Sequence, residues 1–187
     1  MDYKYLKYKH KYLQLRKGGG GVSVGGAVSD ALNKLEPIQK KFNEDLIKQG
    51  GKPLSKLSVA EARKLLDDLQ AGSVIDAPTT KTEVKIPNGA NDFSIFIVRP
   101  KAATEKLPAI IFVHGAGWIL GNFGTHERMV REISYGANVA VVFVNYSLSP
   151  EAPYPIAVEQ CYKALTFIAE SGGKYDIDTT KLMVAGE

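Results

Sequence analysis

Five residues, His114-Gly115-Ala116-Gly117-Trp118, follow directly on the apolar run Ala109 to Val113, and their types and spacing could do chemistry. A loop of small residues at the end of a buried strand lets a substrate carbonyl approach the backbone. Its N–H groups can then receive the negative oxygen of a tetrahedral acyl intermediate. Gly115 and Ala116 are the positions whose N–H groups are expected to point inward, within an oxyanion-hole loop of His114, Gly115, Ala116 and Gly117. The same pentapeptide also suits a plain glycine turn with His114 hydrogen-bonded inside the loop, and these five residues alone do not choose. The second chemical element is the apolar stretch that runs through Leu182 to Ala185 into Gly186, where a Gly-x-Ser-x-Gly nucleophile elbow would begin. Its serine would stand one position past Glu187, so none of the 187 residues is assigned a role in a Ser-Asp-His triad. Ser147 and Ser149 lie in no elbow and no histidine follows them. Cys161, on the apolar face of a helical pattern, reads as core. His10, His114 and His126 read as too scattered for a metal site.

The elements that must hold these residues are legible from periodicity. Ala109 to Val113 and Val139 to Asn145 are continuous Val/Ile/Phe-rich runs of the kind buried strands need, and Leu182 to Ala185 is expected to be a further buried strand. Thr82 to Ile86 and Phe93 to Val98, flanked by Pro87-Asn88-Gly89 and Pro100, read as two more strands. Thr125 to Tyr135 and the stretch after Pro155, with Val158, Cys161, Leu165 and Ile168, read as helices between strands. This alternation predicts an α/β fold: a mostly parallel sheet with helices on both faces. Ahead of it, Leu32, Leu35, Ile38, Phe42 and Leu46 form one apolar stripe, capped by Ser29 or Asp30, restarted at Pro37 and closed by Gly50-Gly51. A second helix starts at Ser58 with the capping box Ser58/Glu61 and carries Ala62, Leu65, Leu66 and Leu69 on one face before Gly72. These short helices are expected to form a lid or to pack on the core.

Composition excludes more than it identifies. With 44% apolar and 24% charged residues the chain has a globular balance, and its net charge of +4 is concentrated at one end. Residues 1–17 carry +5, from Lys4, Lys7, Lys9, Lys11, Arg16 and Lys17 against Asp2, which leaves the remainder at −1. Tyr5, Tyr8, Tyr12 and Leu15 recur at helical spacing there, so this segment is expected to contact a protein, a membrane surface or a nucleic acid, or else to be a solvated extension. The glycine-rich residues 18–27 read as a flexible linker. Lysines interrupt any secretory apolar core, Val139 to Val144 is too short to span a bilayer, and one cysteine makes no internal disulfide. A soluble intracellular protein is expected.

A second motif, Asn145-Tyr146-Ser147-Leu148-Ser149-Pro150-Glu151-Ala152-Pro153-Tyr154-Pro155, joins the first loop and Val184-Ala185-Gly186 in a fixed order. Together they resemble the hormone-sensitive-lipase-like family of α/β-hydrolases, whose loop reads His-Gly-Gly-Gly-Phe/Trp, second motif Asp-Tyr-Arg-Leu-Ala-Pro-Glu-x-Pro-x-Pro, and elbow Gly-Asp-Ser-Ala-Gly-Gly. The likeness runs from about Val28 to Glu187. It implies cap helices over 28–75, a hydrolase core over 76–187 that stops before the nucleophile serine, and hydrolysis of small acyl esters with no metal and no organic cofactor. It places His114, Gly115, Ala116 and Gly117 in the oxyanion loop and Gly186 at the start of the elbow. Ala116 stands for glycine, Asn145 for Asp, Ser147 for Arg, Gln160 for a common acid, and Glu187 for the Asp before the nucleophile. The expectation is a fragment of a longer hydrolase, inactive alone, whose exposed sheet requires the missing C-terminal half or a partner to cover it. The alternative is a non-catalytic binding or virion-associated structural protein on a degenerate hydrolase fold. The Tyr/Lys-rich N-terminal segment is similar to those of mimivirus-like giant-virus proteins, which implies a viral factory or virion setting.

Overall fold

The computed structural model describes residues 31–49, 56–72 and 77–187, so the segment 1–17, the linker, the caps Ser29 and Asp30, and Gly50-Gly51 lie outside the described residues. The chain divides into two units, Met1–Lys52 and Pro53–Glu187. In the first, helix α1 (Pro37–Gln49) begins at the proline, whose fixed φ suits a first helical turn and whose missing N–H costs nothing there. The apolar stripe expected through it does not bury Ile38, which is 87% exposed.

The second unit holds helix α2 (Val59–Gln70), a five-stranded sheet and two further helices. Ser58 and Glu61 form the expected reciprocal capping box at the start of α2, so the sequence signal and the local structure coincide. Of its apolar face only Ala62 is buried, while Leu65 and Leu69 are 40% and 44% exposed. The strands are β1 (Thr79–Ile86), β2 (Phe93–Pro100), β3 (Leu107–Val113), β4 (Ala140–Asn145) and β5 (Ile177–Gly186), in the order β1-β2-β4-β3-β5. Helix α3 (Phe123–Ala137) connects β3 to β4, and α4 (Ile156–Ser171) connects β4 to β5. The sheet is mixed: β3 runs parallel to β4 and β5, whereas β2 is antiparallel to both β1 and β4. The parallel part is what two strand-helix-strand crossovers require, and the antiparallel part follows from the short turn between β1 and β2.

The period of two along each strand sorts side chains onto two faces. Ile95, Ile97, Leu107, Ile111, Val142 and Val144 join Ala164 and Ile168 of α4 in one core. Val98, Phe112, Val141 and Phe143 join Phe123 and Val130 of α3 in the other. Strand β4, paired on both sides and covered on both faces, is wholly buried from Ala140 to Val144. Strand β5 departs from the buried strand expected at Leu182 to Ala185. It extends back to Ile177, pairs only with β3 among the described residues, and leaves Met183 and Val184 62% and 60% exposed. An edge position with one covered neighbour explains that exposure. No described helix is long and apolar enough to cross a membrane.

Candidate active site

The loop after β3 begins with a buried aromatic stack. His114 is 3% exposed, its ring lies parallel to Tyr146 at 4.2 Å and to Phe143 at 5.2 Å, and His126 of α3 tilts against it at 5.1 Å. The two histidines read as scattered along the chain are therefore neighbours, because the first turns of α3 fold back over the strand end. Among the described residues no group of three or more potential ligands forms. His114 Nδ1 lies 3.0 Å from the Gly115 carbonyl, a pure acceptor, so Nδ1 carries the hydrogen; Nε2 is buried and has no partner among the described residues. Burial, with the neighbouring His126 second, pushes the imidazole down to about 4. The Tyr146 hydroxyl donates to the His114 carbonyl at 2.7 Å, and burial pushes its own pKa up to about 12. His114 is thus a neutral, fixed post at the base of the loop.

Beyond His114 the backbone turns left-handed. Ala116, Gly117 and Trp118 have φ of 72°, 68° and 61°. For Ala116 and Trp118, with a Cβ, that region costs roughly 1 kcal/mol each. The loop is tied down from outside: Leu120 N–H donates to the Ala116 carbonyl at 3.2 Å, and Ser149 N–H donates to the Trp118 carbonyl at 2.8 Å. Among the described residues, the N–H groups of Gly115, Ala116 and Gly117 donate to no backbone acceptor. Ala116 and Gly117 are also exposed. Donors left open on a strained loop are what a developing oxyanion would use. Gly121, with φ of 88°, passes so close that a Cβ there would sit 2.8 Å from His114 Nδ1.

The loop abuts the end of β5. A Cβ on Gly115 would lie 2.8 Å from the Glu187 carbonyl oxygen, and one on Gly186 would lie 2.5 Å from the Val113 carbonyl oxygen. Both positions therefore need glycine for the close passage of two backbones. The Glu187 carboxylate reaches His126 Nε2 at 2.9 Å, while His126 Nδ1 faces Asn122 O at 3.0 Å and Thr125 Oγ1 at 2.8 Å. Glu187 stands in the elbow motif, whereas His126 is a site neighbour that the linear motifs did not reveal.

The second motif braces this arrangement through neutral groups. Asn145 Oδ1 accepts from Phe123 N–H at 3.1 Å, and Asn122 caps the same helix through Thr125. Gln160, fully buried, accepts from Ser147 N–H at 2.7 Å and donates to Ser147 Oγ at 2.9 Å and to the Asn91 carbonyl at 2.7 Å. The largest contribution that sequence reasoning missed comes from α2. Arg63 donates through Nε to the Ile119 carbonyl at 2.9 Å and through Nη2 to the Ser149 carbonyl at 2.9 Å. It also forks onto both carboxylate oxygens of Glu151, at 2.9 and 2.8 Å. That hydrogen bonding holds Glu151 down at about 2. A one-residue signal for such a contact does not exist in sequence, since Arg63 and Ile119 are 56 positions apart. An open depression of about 450 Å³ is lined by Arg63, Asn91, Asp92, Ser147, Glu151 and Ala152, so the space lies over the second motif. Cys161 is half-buried with its thiol pushed up to about 11 by burial, which fits a packing role.

The comparisons with known proteins follow the same outline. A family described as alpha/beta hydrolase fold matches residues 110–187. An alpha/beta hydrolase of Acanthamoeba polyphaga mimivirus is 38% identical over 188 residues, covering 98% of this chain and 51% of its own length. A carboxylesterase of Mycobacterium tuberculosis is 33% identical over 100 residues, covering 54% of this chain and 31% of itself. Among solved structures, a thermostable esterase from Pseudomonas putida superposes with a TM-score of 0.73 at 38% identity, over 78% of this chain and 46% of that one. A hyperthermophilic esterase from Pyrobaculum calidifontis gives 0.72 at 27% identity, over 82% and 49%. The chain thus spans about half the length of the mimivirus relative and less of the mycobacterial one. The match over residues 110–187 and the superposition on these esterases show that the chain carries the α/β-hydrolase fold.

Proposed function

We propose that this chain supplies the oxyanion-hole half of a serine carboxylic-ester hydrolase acting on small acyl esters, with His114, Gly115, Ala116 and Gly117 as the oxyanion loop and Gly186 as the first residue of the nucleophile elbow. The observation that carries the reading is the left-handed run at Ala116 to Trp118 with backbone donors left open beside the end of β5. A carbonyl oxygen placed there would gain negative charge as a serine on the elbow attacked the carbonyl carbon, and preformed donors stabilise that charge without reorganising. The likeness to a mycobacterial carboxylesterase and a Pseudomonas putida esterase supports the same substrate class. No step of such a reaction calls for a metal or an organic cofactor. The serine, acid and base come from residues outside these 187, and the segment that carries them would also pair with and cover β5. The 187 residues on their own do not turn over esters.

The test compares p-nitrophenyl butyrate hydrolysis by the 187-residue chain and by the same chain continued past Glu187 with the second half of the mimivirus relative. No hydrolysis by the first and serine-dependent hydrolysis by the second is expected. Turnover by the 187 residues alone refutes the reading of the site, and a folded but inert continued chain favours a non-catalytic binding role.

A further inference from the structure

The oxyanion loop is strained, and one side chain from a different element bonds both to the loop and to Ser149, which holds it. Arg63 and Asp67 stand one turn apart on α2, and both face the segment that follows the left-handed run: Arg63 donates to the Ile119 carbonyl, and Asp67 accepts from Asn122 Nδ2 at 2.9 Å. Arg63 also donates to the Ser149 carbonyl, and the N–H of that same Ser149 donates to the Trp118 carbonyl. The consecutive carbonyls of Trp118 and Ile119 are therefore gripped from two sides by a unit made of Arg63 and Ser149. The bidentate pairing with Glu151 fixes the plane of the guanidinium. Only a planar fork with several donors reaches an Ile119 carbonyl, a Ser149 carbonyl and a carboxylate together; a lysine ammonium cannot.

We propose that Arg63 is the positioning residue of the oxyanion loop, acting through Ile119 and Ser149 with Glu151 holding it in plane, so that docking of α2 sets whether the backbone donors of 115–117 are in place. The inference rests on the reading of that loop as an oxyanion hole. It assigns α2 a role distinct from covering the core, which its half-exposed Leu65 and Leu69 do poorly. Without the clamp, the left-handed residues relax toward ordinary φ and their N–H groups turn away from the position of the oxyanion.

Amide hydrogen exchange on the full 187-residue chain tests the clamp independently of catalysis. In Arg63→Lys and Glu151→Gln, the amides of Leu120 and Ser149, which close the loop, are expected to exchange about tenfold faster, whereas those of Ile111 and Val142 in the central strands stay within about twofold. Methylguanidinium added to Arg63→Ala should restore part of the protection. In the continued chain, Arg63→Lys should lower kcat about tenfold with KM within about twofold, because the loop contacts the oxygen only as charge develops. Loop amides that exchange as in the parent chain, or an unchanged kcat, overturn the proposal. If the unsubstituted continued chain is inert, the hydrolase reading falls, and the exchange of Leu120 and Ser149 still decides whether Arg63 holds the loop.

Discussion

His114 makes the fold acid-sensitive in a way that can be worked out from its surroundings. Its ring lies between Tyr146 and Phe143 with His126 alongside; Nδ1–H donates to the Gly115 carbonyl, and Nε2 has no acceptor among the described residues. A second proton would place a donor on Nε2 with nothing to receive it and a charge with little water, so the folded value is about 4 against 6.5 for the free side chain. The folded value lies below the unfolded one, so the unfolded chain takes up the proton first. Stability is unaffected above about pH 6.5, falls as the pH drops through the interval, and the loss is complete near 4. About 2.5 pH units at roughly 1.4 kcal/mol each make the penalty on the order of 3 kcal/mol. Urea unfolding at steps between pH 8 and 4, for the parent and for His114→Asn, isolates it. The asparagine amide can still donate to the Gly115 carbonyl but does not titrate, so the acid-dependent loss should shrink by about that amount whatever the baseline. The histidine Hε1 resonance gives the midpoint directly. A His114 midpoint above about 6, or equal acid losses in the two chains, refutes the account of a neutral, enclosed imidazole.

Three further outcomes follow from the same geometry. Ala116→Gly removes a Cβ from φ of 72° and should raise stability by about 0.5–1 kcal/mol, read as a higher urea midpoint, since relief of left-handed strain exceeds the added freedom of the unfolded chain. Gly186→Ala drives a Cβ to 2.5 Å from the Val113 carbonyl oxygen, so the β3–β5 ladder must part at its end; thermal unfolding should show a loss of about 1–3 kcal/mol. Gln160→Glu leaves a buried carboxylate against the Asn91 carbonyl with no cation to meet it, at a cost of about 2 kcal/mol or more near pH 7 that diminishes as the pH falls through the raised carboxyl pKa.

The parts of the fold legible in the sequence are those fixed by local physics. Ser58 and Glu61 are three residues apart and cap α2 whatever lies around them, and the Val/Ile/Phe runs at β3 and β4 have no other stable fate than burial. Pairing was less legible. A continuous apolar run carries no record of which strand lies beside it, so the antiparallel docking of β2 on β4, and the place of β3 between β4 and β5, emerged only in the structure. The loop residues His114 to Gly117 and the elbow residue Glu187 stand in local motifs, whereas Arg63 and His126 join them through contacts between elements far apart in the chain.

The departures from the family motif are better understood as coupled than as losses. Asn145, Ser147 and Gln160 replace an Asp, an Arg and a common acid, and each is neutral. In this chain Gln160 meets both groups of Ser147 and the Asn91 carbonyl, and Asn145 receives the first N–H of α3. The guanidinium that now faces the second motif is Arg63 of α2, paired with Glu151. Positive charge beside this motif thus comes from a helix that must dock, which ties the geometry of the loop after β3 to the seating of α2.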